Sequence, residues 1–406
     1  MKESVRLVVE NFGPIKQADI LFDKYTVLIG QQGTGKSTIA KLYSMFTWLE
    51  KGLIRRTLSK KQMTQYARFQ KNYCAYHRLD SYFKEQSVIR FDGLHYNFCY
   101  ENGKLHITEN DNELSFNIAK VMYVPAERNF LSTMDIITNS RNLPDTLKTF
   151  LDEFENAKAG LKVGYHLPFG DTSYEYDALN KISWIKGTDY KIRLSAASSG
   201  YQSVLPLLLV TKFLADMVQN NANKKDLDLP ERKQIEKEVN KVMNDPSISE
   251  EVKFATLRII SSRFKYSRFV NIVEEMEQNL YPESQMKVLF ELLRYANLLD
   301  SNRLLLTTHS PYIVNYLTLA AKAFLLQEKI GTQELLNEKI ETIVPTQCRV
   351  NPDRLRIYEL DNGTVNLVNH YEGVPSDENF LNMQLGYTNE LFDALLEIEE
   401  EFDTKN

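Results

Sequence analysis

The sequence predicts an α/β protein built around an open, largely parallel β-sheet, and three features of the chain lead to this prediction. A short apolar strand near the N-terminus runs into a glycine-rich loop that is followed by a helical pattern. Two later apolar strands, at residues 269–273 and 304–306, each end in polar residues. Ligands of open α/β sheets gather beyond the carboxyl ends of the strands, so these endings predict one shared site.

The first of these strands, residues 25–29 (YTVLI), leads directly into the loop GQQGTGKST. This loop fits the pattern G-x-x-x-x-G-K-[ST], the P-loop, which requires a strand before it and a helix after it. Its glycines allow backbone N–H groups to turn towards phosphate oxygens, and the helix adds its positive N-terminal end. We expect Lys36 to reach the β- and γ-phosphates of a nucleoside triphosphate and the Ser37 hydroxyl to bind Mg²⁺. The residues predicted to bind the nucleotide here are Gly30, Gln31, Gln32, Gly33, Thr34, Gly35, Lys36, Ser37 and Thr38.

A second loop of small residues, Ser198-Ser199-Gly200, opens a strongly apolar helix. Hydroxyl and amide donors in front of a helix form an anion cradle, although an ordinary N-cap before a core helix explains the same pattern equally well. The apolar run at 204–218 is interrupted by Lys212 and is shorter than the roughly 20 residues of a membrane span. We therefore expect a buried helix.

The strand at 269–273 ends in Glu274 and Glu275. One carboxylate at such a position can bind Mg²⁺, and its neighbour can polarise an attacking water as general base. The strand at 304–306 is followed by His309, which can hydrogen-bond a γ-phosphate. Each of these residues alone also fits a structural role. Their order along the chain, after the P-loop and the serine–glycine loop, favours one nucleotide site.

This order of motifs resembles the ABC-type ATPase heads of the SMC/RecF group. More narrowly, it resembles the bacterial AAA-family ATPases that include the OLD proteins and the PtuA-like ATPases of Septu and retron anti-phage systems. The resemblance extends from Val5 to about Asn369, through NFGPI, GQQGTGKST, SSGYQS, EEMEQNLYP and TTHSP. It implies a P-loop NTPase of ABC/SMC-head type with an antiparallel β lobe and helical insertions, which binds ATP and Mg²⁺.

The resemblance also implies a homodimer or higher oligomer with composite sites. One head's P-loop and the partner's Ser198, Ser199 and Gly200 would enclose each ATP. The implied roles are Ser37 and Glu274 at Mg²⁺, Glu275 as the catalytic base and His309 as the switch.

Several positions depart from the pattern of these relatives. Met276 stands where many of them have proline, and Glu274 replaces the commoner aspartate. No glutamine is identifiable as the Q-loop residue. The segment VMYVPAERNF lies in roughly that region, where Glu127 and Arg128 either approach the nucleotide or the other head, or form a salt-bridged turn.

Residues 51–79 contain no acidic residue, although the net charge of the chain is −5. Basic and aromatic residues interleave in this helical pattern, a mixture typical of nucleic-acid surfaces. A solvated helical face or a surface for an acidic partner fits the pattern too. The residues predicted to contact nucleic acid are Arg55, Arg56, Lys60 and Lys61.

The predicted organisation is one discontinuous ATPase head at 1–48, 88–211 and 266–369. A basic helical insertion at 49–87, a short helical arm at 212–265 and an acidic helical tail at 370–406 complete the chain. About 50 residues are too few for a long coiled-coil arm, and the tail is too short for an OLD-type nuclease domain. Three scattered cysteines, Cys74, Cys99 and Cys348, predict a reduced cytoplasmic protein. We expect no membrane partner, because no segment of the sequence suggests coupling to one.

The predicted function is slow hydrolysis of Mg²⁺-ATP by a sensor or regulatory subunit that controls a separate effector, a nuclease or toxin, in anti-phage defence. The defence role depends on the resemblance alone. The alternatives are a RecF-like DNA-repair ATPase and an ATP-dependent assembly scaffold with little turnover.

Overall fold

The fold is given by a computed structural model that describes residues 4–110, 117–133, 142–220, 227 and 229–403. The strands are β1 (Val5–Phe12), β2 (Ile15–Phe22), β3 (Tyr25–Gly30), β4 (Phe83–Asp92), β5 (Tyr96–Glu101), β6 (Lys104–Glu109), β7 (Ala119–Val124), β8 (Tyr165–His166), β9 (Ser173–Asp177), β10 (Ile182–Lys186), β11 (Lys191–Arg193), β12 (Arg268–Glu274), β13 (Arg303–Thr307), β14 (Leu355–Asp361), β15 (Thr364–Leu367), β16 (His370–Tyr371) and β17 (Val374–Pro375). The helices are α1 (Lys36–Ile54), α2 (Lys60–Met63), α3 (Asp145–Gly160), α4 (Ser199–Gln219), α5 (Leu229–Met243), α6 (Glu250–Arg263), α7 (Pro282–Ala296), α8 (Pro311–Ile330), α9 (Glu334–Ile343) and α10 (Phe380–Asp403).

One sheet of 11 strands has the order β6-β5-β4-β1-β2-β15-β14-β3-β13-β12-β7. The run β14-β3-β13-β12-β7 is parallel, and its members β3, β12 and β13 are buried along their whole length. Strands β6, β5, β4, β1 and β2 pair antiparallel and extend the same sheet. Strands β8–β11 form a separate four-stranded sheet. The predicted α/β class is confirmed, with the P-loop between β3 and α1.

Helices cover both faces of the parallel strands, so successive side chains of one strand enter different cores. On β3, Leu28 packs in the core that contains α1, whereas Val27 and Ile29 pack in the core that contains α4 and α7. The polar residue within β12, Asn271, donates to the Thr211 hydroxyl of α4 at 3.1 Å. This hydrogen bond pairs the amide N–H of Asn271, while its Oδ1 is buried without a partner among the described residues.

Among the described residues, α4 alone has the length and hydropathy of a membrane span, and 72% of its most apolar window is buried inside the protein. This burial is that of a core helix. The prediction of a buried helix at this position is confirmed. The cysteines Cys74, Cys99 and Cys348 are free thiols.

The segment predicted as a basic helical insertion contains short helical pieces rather than long helices. After α1 ends at Ile54, the one-turn helix α2 and a π-helical turn, Phe69–Cys74, are separated by loops and precede β4. The basic side chains of this segment differ in their surroundings, and some of them are buried. Arg55 is fully buried, and its guanidinium bonds the Glu231 carboxylate at 2.5 Å and the Tyr266 hydroxyl at 3.1 Å.

The prediction that Arg55 contacts nucleic acid is therefore wrong. Its remaining hydrogen bonds go to the carbonyl oxygens of Arg263 and Phe264, at 3.2 and 3.0 Å, so Arg55 fastens the arm formed by α5 and α6 to the end of α1. The partners lie more than 170 positions away in sequence, beyond the reach of a local charge pattern. The part of the predicted arm at 221–226 and 228 lies outside the described residues.

The C-terminal helix α10 extends over Phe380–Asp403, and its first backbone N–H is accepted by the Glu359 carboxylate at 3.2 Å. Beyond this first turn the helix projects into solvent. The apolar residues Leu391, Leu395 and Ile398 are 50–64% exposed. The helix thus exposes apolar side chains along with its acidic residues.

Candidate functional site

The P-loop curls tightly because its three glycines, Gly30, Gly33 and Gly35, have positive φ angles that other residues rarely adopt. Gly30 has a φ of 139°, and a Cβ there would lie 2.2 Å from the carbonyl oxygen of Leu360. Gly35 has a φ of 106° and precedes the first turn of α1. The loop between them, from Gln31 to Gly33, is exposed to solvent, as a phosphate cradle must be.

Lys36 is the cation of this loop. It is buried, and its Nζ donates to the carbonyl oxygens of Gly30 and Gln31 at 2.8 and 2.7 Å. Burial lowers its pKa to about 8, against the opposing effect of the glutamates at the end of β12. Ser37, the predicted Mg²⁺ ligand, is exposed on the same turn, while Thr38 is buried beneath it.

Glu274 is the last residue of β12 and is 5% exposed. One of its carboxylate oxygens, Oε1, is buried without a hydrogen-bond partner among the described residues. An orphaned buried carboxylate oxygen suits a hard cation such as Mg²⁺, so this residue fits the metal that the P-loop implies. No cluster of three or more His, Cys, Asp or Glu side chains that could hold a metal occurs in the described part of the chain.

Glu275 begins the loop after β12 in a left-handed conformation, with a φ of 45°. Such a conformation is strained for a residue with a side chain, and strain of this kind is concentrated at functional sites. The Glu275 N–H donates to the Thr307 carbonyl at 3.0 Å, and its Oε1 lies 3.8 Å from Nε2 of His309. The carboxylate is partly exposed and accessible to a water molecule.

His309 follows β13, as the sequence predicted. Burial and the nearby positive charge of Lys36 lower its pKa, so the ring is neutral at neutral pH and does not form an ion pair with Glu275. The structure thus brings the side chains of Lys36, Glu274, Glu275 and His309 together at the carboxyl ends of β3, β12 and β13.

Two residues of this site were missed or left open at the sequence level. Arg128 is fully buried and donates to the carbonyl oxygens of Glu274 and Glu275 at 2.6 and 2.7 Å, and to that of Ser203 at 3.1 Å. It therefore forms neither a salt-bridged turn nor a contact at an exposed site, while Glu127 is exposed. Burial lowers the pKa of Arg128 to about 10.

Glu277 was not singled out from the sequence. Its Oε1 accepts the backbone N–H of His309 at 2.7 Å, and burial raises the pKa of its carboxyl group. It therefore fixes the start of the loop that carries the histidine. Its position two residues after an acidic pair, in EEME, was the only signal in the sequence.

Ser198 caps α4 without a side-chain hydrogen bond, and both Ser198 and Ser199 are exposed. A Cβ at Gly200 would lie 3.0 Å from the Asn279 carbonyl oxygen, so this loop rests on the loop that follows Glu275. Among the described residues, no hydrogen bond or ion pair joins it to the P-loop of the same chain. Its free donors are consistent with a ligand that another molecule presents.

Comparisons with known proteins give fold similarities of low score. No family model matches the chain, and no curated protein matches it. Among solved structures, an SMC head domain from Thermotoga maritima is 10% identical with a TM-score of 0.37, and the match covers 91% of this chain and 99% of that chain. A dimeric ATP-binding cassette in a post-hydrolysis state with ADP and Pi is 10% identical with a TM-score of 0.30, and the match covers 90% of this chain and all of that chain. The functional assignment therefore depends on the residues of the site themselves.

Proposed function

We propose that this protein is a Mg²⁺-dependent ATPase with slow turnover. The observation that supports the proposal is the convergence of Lys36, Glu274, Glu275 and His309 around an exposed P-loop, with an orphaned carboxylate oxygen on Glu274. Mg²⁺, when bound by Ser37 and Glu274, would neutralise the charge that develops on the phosphate oxygens. Glu275 orients and deprotonates the attacking water, and His309 donates a ring N–H to a γ-phosphate oxygen.

The chain's own residues supply the rest of the chemistry. Lys36 sits on the carbonyl oxygens of its loop and transfers its hydrogen bonds to the β- and γ-phosphates when ATP enters. Arg128 fixes the backbone carbonyl groups of Glu274 and Glu275 by hydrogen bonds. Glu277 fixes the backbone N–H of His309 in the same way. Arg128 and Glu277 thereby hold the catalytic groups in position without contacting the nucleotide themselves.

We infer that the site is completed by a second subunit. The donors of Ser198, Ser199 and Gly200 lack a partner from their own P-loop, so they suit the γ-phosphate of an ATP held by another copy. The exposed stripe on α10 supplies a surface for a separate effector, and in this arrangement the ATPase acts as its sensor or regulatory subunit. We also propose that this regulation of an effector serves anti-phage defence.

The test is Glu275→Gln in the full chain. We expect retained ATP binding, hydrolysis lowered by about 100-fold or more, and accumulation of an ATP-bound assembly in size-exclusion chromatography with light scattering. Glu334→Gln, at an exposed glutamate in the first turn of α9, is the matched control and keeps wild-type hydrolysis. Wild-type turnover in Glu275→Gln would overturn the assignment.

A second activity, binding of single-stranded nucleic acid by the same ATPase, is favoured by one observation. A cleft of about 690 Å³ between the segment after α1 and the β5–β6 hairpin is lined by basic and aromatic side chains. Lys61, Lys104 and His106 are exposed there, and Tyr66 is 97% exposed. This mixture suits phosphate contact and base stacking.

Of the residues first predicted for nucleic acid, the cleft includes Lys60 and Lys61. Lys60 is paired with Glu109 at 3.3 Å, and Arg56, which is outside the cleft lining, lies 3.8 Å from Glu238. The double variant Lys61→Gln/Lys104→Gln should lower the slope of log K against log salt by about 0.7 per lysine for a single strand. Lys287→Gln on α7 is the control, and an unchanged slope in the double variant would exclude the cleft.

A further inference from the structure

The C-terminal helix α10 exposes six large apolar side chains on one side of the helix. They recur every three or four residues, so they form one continuous stripe along it. Each is 50–67% exposed, and the members of the stripe are Met383, Tyr387, Leu391, Leu395, Ile398 and Phe402. Ordinary protein surfaces carry such side chains singly, whereas a contiguous apolar surface is typical of a contact with another surface.

The charge of α10 restricts what can cover this stripe. Seven acidic residues and no lysine or arginine lie between Phe380 and Asp403. At about 100° per residue, Glu397 and Glu399 border the stripe on its two sides, and both are exposed. Two α10 helices packed on each other would bring like charges together without a cation on either helix. The complementary surface is therefore apolar with positive charges beside it.

The described part of the chain has such a surface in the cleft between the segment after α1 and the β5–β6 hairpin. Phe69 and Leu105 contribute buried apolar side chains to its lining. Lys61, Lys104 and His106 are exposed there, and none of its described lining residues carries a carboxylate. The cleft thus combines apolar area with the charge opposite to that of α10.

The two surfaces are separated within one chain. The stripe is exposed along its whole length, so α10 does not fill the cleft of its own chain in the structure. The helix begins beside β14, where the Glu359 carboxylate accepts the N–H of Phe380 at 3.2 Å. Strand β6 is six positions away from β14 in the sheet, about 29 Å at a spacing of 4.8 Å per strand. Complementary surfaces placed this far apart suit a contact between two copies.

We propose that α10 of one copy of this protein packs in the basic cleft of another copy. In this contact the stripe is buried against the apolar lining, and the carboxylates beside it pair with Lys61 and Lys104. Neither the P-loop nor the serine–glycine loop takes part, so the contact forms without nucleotide and is separate from the composite ATP site. An effector on the stripe, or a nucleic-acid strand in the cleft, displaces the second copy.

The experiment alters each surface in the full chain and measures molar mass by light scattering, without nucleotide or nucleic acid. At about 100 μM the wild type should exceed the mass of one chain, 47.2 kDa, and it should approach that mass on dilution or in about 0.5 M salt. The cleft variant is Lys61→Glu/Lys104→Glu, and the tail variant is Glu397→Lys/Glu399→Lys. Each alone should be monomeric, because like charges then meet at the contact.

An equimolar mixture of the two variants should assemble again. The intact tail of the cleft variant fits the intact cleft of the tail variant, so each pair regains one native contact. Leu391→Ser/Leu395→Ser keeps every charge but removes apolar area, and it should be monomeric as well. Glu334→Lys/Glu338→Lys, at exposed positions of α9, changes the net charge as the tail variant does and should keep wild-type association.

A wild type that is monomeric at about 100 μM would overturn the proposal. The same holds for a mixture of folded cleft and tail variants that stays monomeric, for association that the cleft or tail variant retains alone, and for loss of association in the α9 control. These outcomes are distinct from a failure of the ATPase assignment, because all of these measurements are made without nucleotide and leave Glu275 unchanged.

Discussion

Arg128 donates a hydrogen bond of 2.7 Å to the backbone carbonyl oxygen of Glu275, the residue whose φ of 45° turns the chain out of β12. The same guanidinium holds the carbonyl oxygen of Glu274 at 2.6 Å and that of Ser203 on α4 at 3.1 Å. One buried cation thus connects the helix of the serine–glycine loop to the acidic end of the strand. The left-handed conformation of Glu275 persists because the buried Arg128 guanidinium hydrogen-bonds its carbonyl oxygen.

Arg128→Lys should therefore separate ATP binding from hydrolysis. Arg128 hydrogen-bonds four carbonyl oxygens, the fourth being that of Pro125 at 3.2 Å, and the single nitrogen of a lysine cannot reach all of them. We therefore expect the free energy of unfolding in urea to fall by about 3 kcal/mol. Hydrolysis should fall about tenfold or more because Glu275 loses its fixed backbone, whereas ATPγS binding is retained. Arg90→Lys, at an exposed arginine of β4, is the control and should change stability by less than about 0.5 kcal/mol. Wild-type turnover per folded molecule would assign Arg128 to stability alone.

The pKa of Lys36, about 8, predicts that ATP affinity depends on pH. Above this pKa the free protein loses the proton from Lys36 and must regain it to meet the phosphates. ATPγS binding should therefore weaken by up to about tenfold per pH unit above pH 8, and binding there should take up a proton. Calorimetry in buffers of different ionisation enthalpy measures both effects. Lys36→Arg, which stays protonated, should flatten the profile, and a flat wild-type profile would contradict the prediction.

Glu277 makes the stability depend on pH in the acidic range. Its folded-state pKa is raised by burial, so the native state binds the proton more tightly than the unfolded chain does. The stabilisation is complete below the unfolded value of 4.5 and is lost as pH rises through the folded pKa. Glu277→Gln keeps an acceptor for the His309 N–H but no charge. It should therefore raise the free energy of unfolding at pH 7 relative to wild type.

At pH 4 the same substitution should have a smaller effect. Urea titrations at both pH values provide the measurement. Glu283→Gln, exposed in the first turn of α7, is the control, with a change of less than about 0.5 kcal/mol at each pH. Equal effects of Glu277→Gln at the two pH values would show that the folded-state pKa of this carboxyl group is not raised.

A composite site predicts complementation between subunits. Lys36→Ala cannot hold ATP in its own P-loop but retains an intact serine–glycine loop, while Ser198→Arg has the opposite defect. Each variant alone should be inactive. In an equimolar mixture, random pairing restores one complete site in half of the dimers, so about a quarter of wild-type hydrolysis should return. A mixture in which subunits exchange freely but no activity returns would exclude a site shared between subunits.

The P-loop was predictable because its mechanism requires adjacent residues, and strand, loop and helix all fit locally. The ends of β12 and β13 were predictable for a similar reason, since parallel strands place their last residues at one edge. The roles of Arg128 and Arg55 were not predictable. Their partners include carbonyl oxygens and a carboxylate that lie far away in sequence. An arginine in a sequence also does not indicate whether its side chain will be buried or exposed.

Glu277 was missed for a different reason. Its importance arises from burial beside the site rather than from residue spacing, and an acidic residue in that position is common in any sequence. Asn271 shows the converse case. It was conspicuous in the sequence as a polar residue inside a strand, and its hydrogen bond to Thr211 joins β12 to α4.

The π-helical turn Phe69–Cys74 divides the segment after α1 into two parts. Residues before and within the turn line the basic cleft, and residues within and after it line a second recess of about 470 Å³ against α1 and α3. A π-helical turn is rare in proteins and occurs frequently at functional sites. One six-residue turn thus forms part of the wall of both recesses.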